Sequence, residues 1–192
     1  MQVQLTARAE PLEFTAATPE ALVLLDGVAR EAGPSGCRHG TPWFVRRLGV
    51  HLLARLTDRS DRSIAECLAD AIAETAALHG GRCDLADPAA PAAAVLAARL
   101  HGASLEYLVL GGPLLLLDTA QGPRSVRDGG AGVVGVSPRV AERARTGFVP
   151  LDGLLAVAAL TADAGEDAGG LLRRLAKGGV AAGPGVAVYA AC

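Results

Sequence analysis

Two stretches decide how the rest of the chain is read. The first is Glu20-Ala21-Leu22-Val23-Leu24-Leu25-Asp26-Gly27, a short apolar run stopped by Asp-Gly. That pattern predicts a buried strand ending in a turn. A Gly/Pro/Ser-rich loop over 27–40 follows, and the second stretch is Gly36-Cys37-Arg38-His39-Gly40-Thr41-Pro42-Trp43-Phe44-Val45-Arg46-Arg47-Leu48-Gly49. Thr41-Pro42 predicts a helix start, with Thr41 as N-cap and Pro42 at the first helical position. Phe44, Val45, Leu48, Leu52, Leu53 and Leu56 then recur at spacings of three and four while Arg46 and Arg47 face water, which extends the helix over 42–57.

Upstream, Val3, Leu5 and Ala7 alternate with Gln4 and Thr6, as in a half-buried strand. Downstream, Ser63-Ile64-Ala65-Glu66 reads as a capping box that opens a second helix over 63–79. Its buried stripe is Ile64, Cys67, Leu68, Ala71, Ile72 and Leu78, and Gly80-Gly81 ends it. Residues 93–100 and 105–110 read as a hairpin, and Gly111-Gly112-Pro113 turns into a strand over 114–117. The Gly-rich passage 121–137 holds one weak strand, and Ser137-Pro138 opens a brief helix to about Arg145. A strand over 154–160, a helix over 168–177 and a strand over 186–189 close the chain. Meandering strands with segregated helices predict the α+β class with antiparallel sheet, taken as a single domain over 1–192.

Composition limits the functions. Of the 192 residues 51% are hydrophobic and 3% aromatic, so the core must be built from Leu, Val and Ala. A net charge of −2 offers no basic surface for nucleic acid. The longest uncharged apolar stretch, 107–117, is broken by Gly111, Gly112 and Pro113 and is too short to span a bilayer. The first residues have no basic start before an apolar run, so no secretory signal is expected. Cysteines 37, 67, 83 and 192 form no CxxC and are read as reduced. The expectation is a cytoplasmic protein with neither nucleic-acid nor membrane partners, its oligomeric state left open.

Several candidate sites compete with plainer readings. Gly130-Ala131-Gly132-Val133-Val134-Gly135 matches GxGxxG, but no buried strand precedes it and Pro138 lies just after, so it reads as a Gly-rich turn. Cys37 and His39 form Cys-x-His in one loop. They suit a nucleophile and its base, or a small buried thiol beside a hydrogen-bonded histidine. A zinc site would also need His79 and Cys83, which are distant in sequence and not spaced like a finger. His51, His79 and His101 read as polar rim residues, and Arg143, Arg145, Arg173 and Arg174 as solvated helix faces. Asp26-Gly27 places a carboxylate at the edge of the core, where it either turns the chain or holds a divalent cation.

The two opening stretches resemble a bacterial branch of the metal-dependent serine/threonine phosphatases of the 2C type. The resemblance extends over nearly the whole chain and is specific at 20–49 and 104–117. It implies a four-layer α/β/β/α sandwich of two antiparallel sheets flanked by helices, with a two-metal site in the cleft at one end. It also implies metal-ligand roles for Asp26, Gly27, Glu13 and Asp163. Asp26 would bridge both metals, and Gly27 would offer its carbonyl. Glu13 stands where an acidic pair belongs, without its aspartate partner. The family's Gly-Asp-Ser hairpin has become Gly111-Gly112-Pro113, its Thr-Asp-Gly strand end reads Leu160-Thr161-Ala162-Asp163, and its closing Asp-Asp pair has become Gly183-Pro184-Gly185. Arg8 is available to meet a phosphate.

Two hard cations are held by several converging carboxylates, so these losses predict a degenerate site with no cofactor, or residual Mg or Mn at one weak site. Three functions stay open at this point. One is a phosphatase-like domain that keeps the cleft for a small-molecule or protein ligand. Another is a metal-independent enzyme, for instance in a biosynthetic pathway, using Cys37, His39 and Asp26 as catalytic groups with Glu13 in support. The third is a weak one-metal phosphomonoesterase.

Overall fold

A computed structural model describes residues 2–6, 12–28, 37–81, 83–129, 132–133, 135, 137–161, 168–177 and 187–191. In chain order these form β1 (Gln2–Thr6), β2 (Glu13–Ala17), β3 (Ala21–Gly27), α1 (Gly40–Asp58), α2 (Ile64–Ala77), β4 (Ala93–His101), β5 (Ser104–Leu110), β6 (Leu114–Thr119) and β7 (Gly122–Val126). A 3-10 turn over Pro138–Arg143 precedes β8 (Arg145–Pro150), β9 (Leu154–Leu160), α3 (Ala168–Ala176) and β10 (Ala187–Ala191).

Two five-stranded sheets result, one ordered β2-β3-β4-β5-β8 and the other β1-β10-β9-β6-β7. Every pairing is antiparallel. The α+β sandwich is therefore the observed architecture, and three apolar clusters mark its layers. Ala21, Val23 and Leu25 of β3 meet Phe44, Val45, Leu48 and Leu52 of α1 and Leu68 and Ile72 of α2. Leu22 and Leu24, on the opposite face of β3, meet Leu115, Leu117 and Val157 of the other sheet. Leu114, Leu116 and Leu160 pack on Leu171 and Leu172 of α3. A strand covered on both faces needs apolar residues at every position, which is why β3 reads as an unbroken run rather than an alternation.

Both long helices form where their periodicity places them, with differences at the ends. Ser63 caps α2 in a complete capping box with Glu66. His39, not Thr41, precedes α1, and no side chain caps it. The Thr41 hydroxyl points instead at the Val28 carbonyl, 3.5 Å away, tying the helix start to the exit of β3. Leu78, expected in the buried stripe, is 48% exposed because α2 has already ended at Ala77.

The chain does not stay in one sheet through 93–117. Gly111-Gly112-Pro113 carries it from β5 in the first sheet to β6 in the second. Gly111 has φ +89°, and a Cβ there would sit 2.5 Å from the Gly132 carbonyl, so the crossing needs glycine at this position. The brief helix expected from 138 is a single 3-10 stretch, and 145–150 is an edge strand that pairs with β5. Arg145 accordingly lies on a strand, where its guanidinium donates to the Arg127 carbonyl at 2.9 Å. Among the described residues, no helix is long and apolar enough to cross a membrane.

Candidate functional site

The register of the first sheet sets the geometry around Asp26. Even-numbered residues of β3 face the second sheet, so the row Leu22, Leu24, Asp26 runs from the inter-sheet core to its edge. Glu13 of β2 is the direct cross-strand partner of Asp26. From the opposing sheet, the Thr161 hydroxyl just beyond β9 makes a long 3.5 Å contact to Glu13 Oε1. The two carboxylates thus lie at the edge of the space between the sheets, both partly buried. Partial burial raises the Asp26 carboxyl above its ordinary value, because removal from water disfavours the charged form.

Gly27 turns the other way, toward α1. Its N–H donates to the Leu12 carbonyl at 2.8 Å. A Cβ there would lie 2.7 Å from both that carbonyl oxygen and Thr41 Cγ2, so no larger residue fits between β3 and the start of α1. Across the sheet, Asp26 pairs with Ala94, which also crowds Gly111. The Asp128 carboxylate, not singled out in the sequence, accepts the Gly111 N–H. It thereby braces the Gly111-Gly112-Pro113 turn, about two strand spacings, or roughly 10 Å, from Asp26. Asp163, Arg8 and the segment 183–185 lie outside the described residues.

Cys37 and His39 sit immediately before α1, and the structure adds two residues to them. His79 and Cys83 follow α2, and the antiparallel packing of α1 on α2 brings the end of one helix beside the start of the other. Cys83 Sγ lies 3.5 Å from His39 Nδ1, and Cys37 Sγ lies 3.9 Å from the same nitrogen. One donor atom from each of Cys37, His39, His79 and Cys83 falls within 4.8 Å of all the others. Cys37 and Cys83 are both thiols. Trp43 stacks on the His39 ring at 4.3 Å and meets the His79 ring edge-on at 4.9 Å.

His79, expected at a polar rim, is only 2% exposed. Its Nδ1 lies 3.0 Å from the Thr75 carbonyl and 3.3 Å from that of Ala76. Carbonyl oxygens only accept, so Nδ1 carries the proton and the lone pair is on Nε2. Desolvation, then the neighbouring His79 and Arg38, hold the His39 imidazole below its ordinary pKa. No sequence spacing signals this cluster. What would find it is the knowledge that both half-sites flank the two ends of one helical hairpin.

The structure therefore brings Glu13 and Asp26 together at the sheet end, and Cys37 and His39 together before α1. Among the described residues, the contacts of His39 are to sulfur and to rings, not to a carboxylate. Among the described residues, no third His, Cys, Asp or Glu joins Glu13 and Asp26 in a metal-sized group. His51 and His101 lie apart from both places. His51 pairs with Glu74 at 2.7 Å on the helix hairpin, and His101 lies at the exposed end of β4.

Compared with known proteins, the chain matches no protein-family model and no curated protein. Its fold matches solved structures of bacterial phosphatases along nearly their whole length. A single-substitution variant of a bacterial serine phosphatase superposes with a TM-score of 0.65 at 14% identity, covering 100% of this chain and 98% of that one. The catalytic domain of the serine/threonine phosphatase PstP, in complex with two manganese ions, gives 0.60 at 11% identity over 98% and 95%. The phosphatase Stp1 from Staphylococcus aureus gives 0.59 at 10% identity over 100% and 94%. At these identities the likeness establishes the fold alone, and that fold is the one the opening motifs imply.

Proposed function

We propose that the chain is a single 2C-phosphatase-like domain over 1–192, a cytoplasmic pseudophosphatase that uses the inter-sheet cleft beside Asp26 to bind a small-molecule or protein ligand. The observation that carries this reading is the donor set at the sheet end. A pair of divalent cations about 3.5–4 Å apart needs several carboxylates to neutralise it and to leave room for a bridging water. Among the described residues, Glu13 and Asp26 supply two, and no third His, Cys, Asp or Glu joins them in a metal-sized group. This donor set does not fit two hard cations. In sequence, Gly112 and Pro184 stand where the family's acids would supply more.

The cleft keeps features suited to binding. At the end of the inter-sheet space the described residues place two acids, Glu13 and Asp26, and the Thr161 hydroxyl. The repurposed-enzyme reading rests on the 3.9 Å Cys37–His39 contact. It is the weaker of the two, because Cys37 is 4% exposed and presents little sulfur to a substrate.

The test is calorimetric titration of the purified chain with manganese, together with an aryl phosphate assay at saturating manganese. The expected result is no pair of micromolar sites and no manganese-dependent turnover. Brisk manganese-dependent turnover overturns the proposal. A thermal-shift screen of phosphorylated metabolites and peptides then identifies the ligand, whose stabilisation should fall in Glu13→Gln.

A further inference from the structure

We propose that Cys37, His39, His79 and Cys83 form a structural zinc site that clamps the start of α1 to the end of α2. The donor chemistry selects the metal. Two thiolates and two imidazoles arranged around one point suit Zn²⁺, whereas Mg²⁺, Ca²⁺ and Mn²⁺ favour oxygen donors and a two-iron cluster with this ligand set spreads its cysteines and histidines over two irons. Zinc–sulfur bonds of about 2.3 Å and zinc–nitrogen bonds of about 2.05 Å place tetrahedral sulfur and nitrogen about 3.5–3.6 Å apart. The observed separations from His39 Nδ1 are 3.5 Å to Cys83 Sγ and 3.9 Å to Cys37 Sγ. All four donors fall within 4.8 Å, so small rotations of the side chains complete the tetrahedron.

His79 supplies the independent observation. Its Nδ1–H is spent on the Thr75 and Ala76 carbonyls, which fixes the ring and its tautomer as an outer hydrogen bond does for metal-bound histidines. That leaves Nε2, which is buried and has no hydrogen-bond partner among the described residues. A buried lone pair without a donor costs about 1–3 kcal/mol, and a cation removes that cost. Binding releases one proton from each of the two thiols to solvent. Two thiolates then balance the charge of Zn²⁺, so the occupied centre is neutral and tolerates its half-buried position. With four protein ligands the coordination is closed, leaving no open position for substrate.

The inference does not rest on the reading of the sheet-end cleft. A chain that binds zinc here and also hydrolyses aryl phosphate with manganese would keep this site and overturn the other proposal.

The chain is purified without chelator or added metal and its metal content measured by mass spectrometry. After chelation under reducing conditions, Co²⁺ is titrated in. The expected result is one equivalent of zinc per chain, and a cobalt form with the visible absorption of tetrahedral S₂N₂ coordination and thiolate-to-metal charge transfer. Trp43 is the sole tryptophan and stacks on a ligand ring, so its fluorescence should change in step with the titration. Cys83→Ser and His79→Ala should each lose about 100-fold or more in zinc affinity, at or beyond the effect of losing an outer hydrogen bond. The wild-type cobalt spectrum decides the matter even if a variant fails to fold. A reduced wild-type chain that takes up neither Zn²⁺ nor Co²⁺ at micromolar concentration overturns the proposal. A cobalt spectrum without thiolate charge transfer also overturns it, as does a Cys37–Cys83 disulfide that binds no metal after reduction.

Discussion

Arg99 and Glu106 face each other across the β4–β5 hairpin and form a salt bridge of 2.8 Å whose side chains are 2% and 4% exposed. Both point from the sheet toward the helices. The Arg99 guanidinium also donates to the carbonyls of Arg59 and Arg62, in the link between α1 and α2. Glu106 Oε1 accepts the Ile64 N–H at 3.0 Å, satisfying an otherwise orphaned donor in the first turn of α2. One ion pair thus anchors the helical hairpin to the first sheet.

Arg99→Leu should cost about 3–5 kcal/mol, because it leaves the Glu106 carboxylate buried without its cation. Arg99→Leu combined with Glu106→Leu should cost less than the sum of the two single changes. Denaturant melts of the three variants check this. Additive losses would mean that the two side chains stabilise the fold independently.

Ser63→Ala should cost about 1 kcal/mol through loss of the α2 cap. The Glu66 carboxyl is held below its ordinary value by accepting hydrogen bonds from Ser63. A depressed carboxyl favours the folded state above its unfolded pKa, and that contribution fades as pH falls through the folded one. The gap in stability between wild type and Ser63→Ala should therefore narrow as pH drops below about 4.5. Thermal melts at pH 3.5 and 7 measure it.

Asp26→Asn should keep or raise the melting temperature of the chain at pH 7 in the absence of added manganese. Burial raises the Asp26 carboxyl, so its contribution is fully present only below the unfolded pKa and is lost as pH rises through the folded one. The amide removes that penalty at nearly the same volume. A clear fall in melting temperature would show that the ionised carboxylate is held by favourable contacts.

Gly27→Ala should destabilise by about 2 kcal/mol or more, since the new methyl meets the Leu12 carbonyl, which has no rotamer to escape through. An unchanged denaturation midpoint would mean that β2 and β3 separate easily at the candidate cleft.

How much was legible in advance depended on periodicity. The unbroken run of β3 and the three-four spacing of α1 and α2 hold, save for Leu78 beyond the end of α2, because each records a face that must be buried. β8 escaped, since Arg-Thr-Gly-Phe-Val-Pro over 145–150 is a largely exposed edge strand with little apolar pattern to read. The change of sheet at Gly111-Gly112-Pro113 was equally hidden. A tight turn looks the same whether the next strand pairs with the last or crosses the core, and the Leu-rich β6 is buried on both faces either way. Nothing local marks Arg99 and Glu106 as a buried pair, because two ions in one hairpin meet only once β4 and β5 are in register. Cys37 and His39 were visible as a pair, but His79 and Cys83 join them only through helix packing.

The pairing of β1 with β10, which sets Gln2 opposite Ala191, imposes an order on how the molecule can be made. The sheet under α1 and α2 has all its strands once residue 150 has been synthesised. The other sheet carries β1 at its edge, and among the described residues its strand partner is β10, made after every other described strand. Until β10 is made, β1 lacks that pairing, a long-range contact that forms late and slowly. Truncation from the C-terminal side should therefore leave soluble yield more sensitive than helix content. The half that folds early would be intact, while the exposed edge of the other sought strands from neighbouring chains.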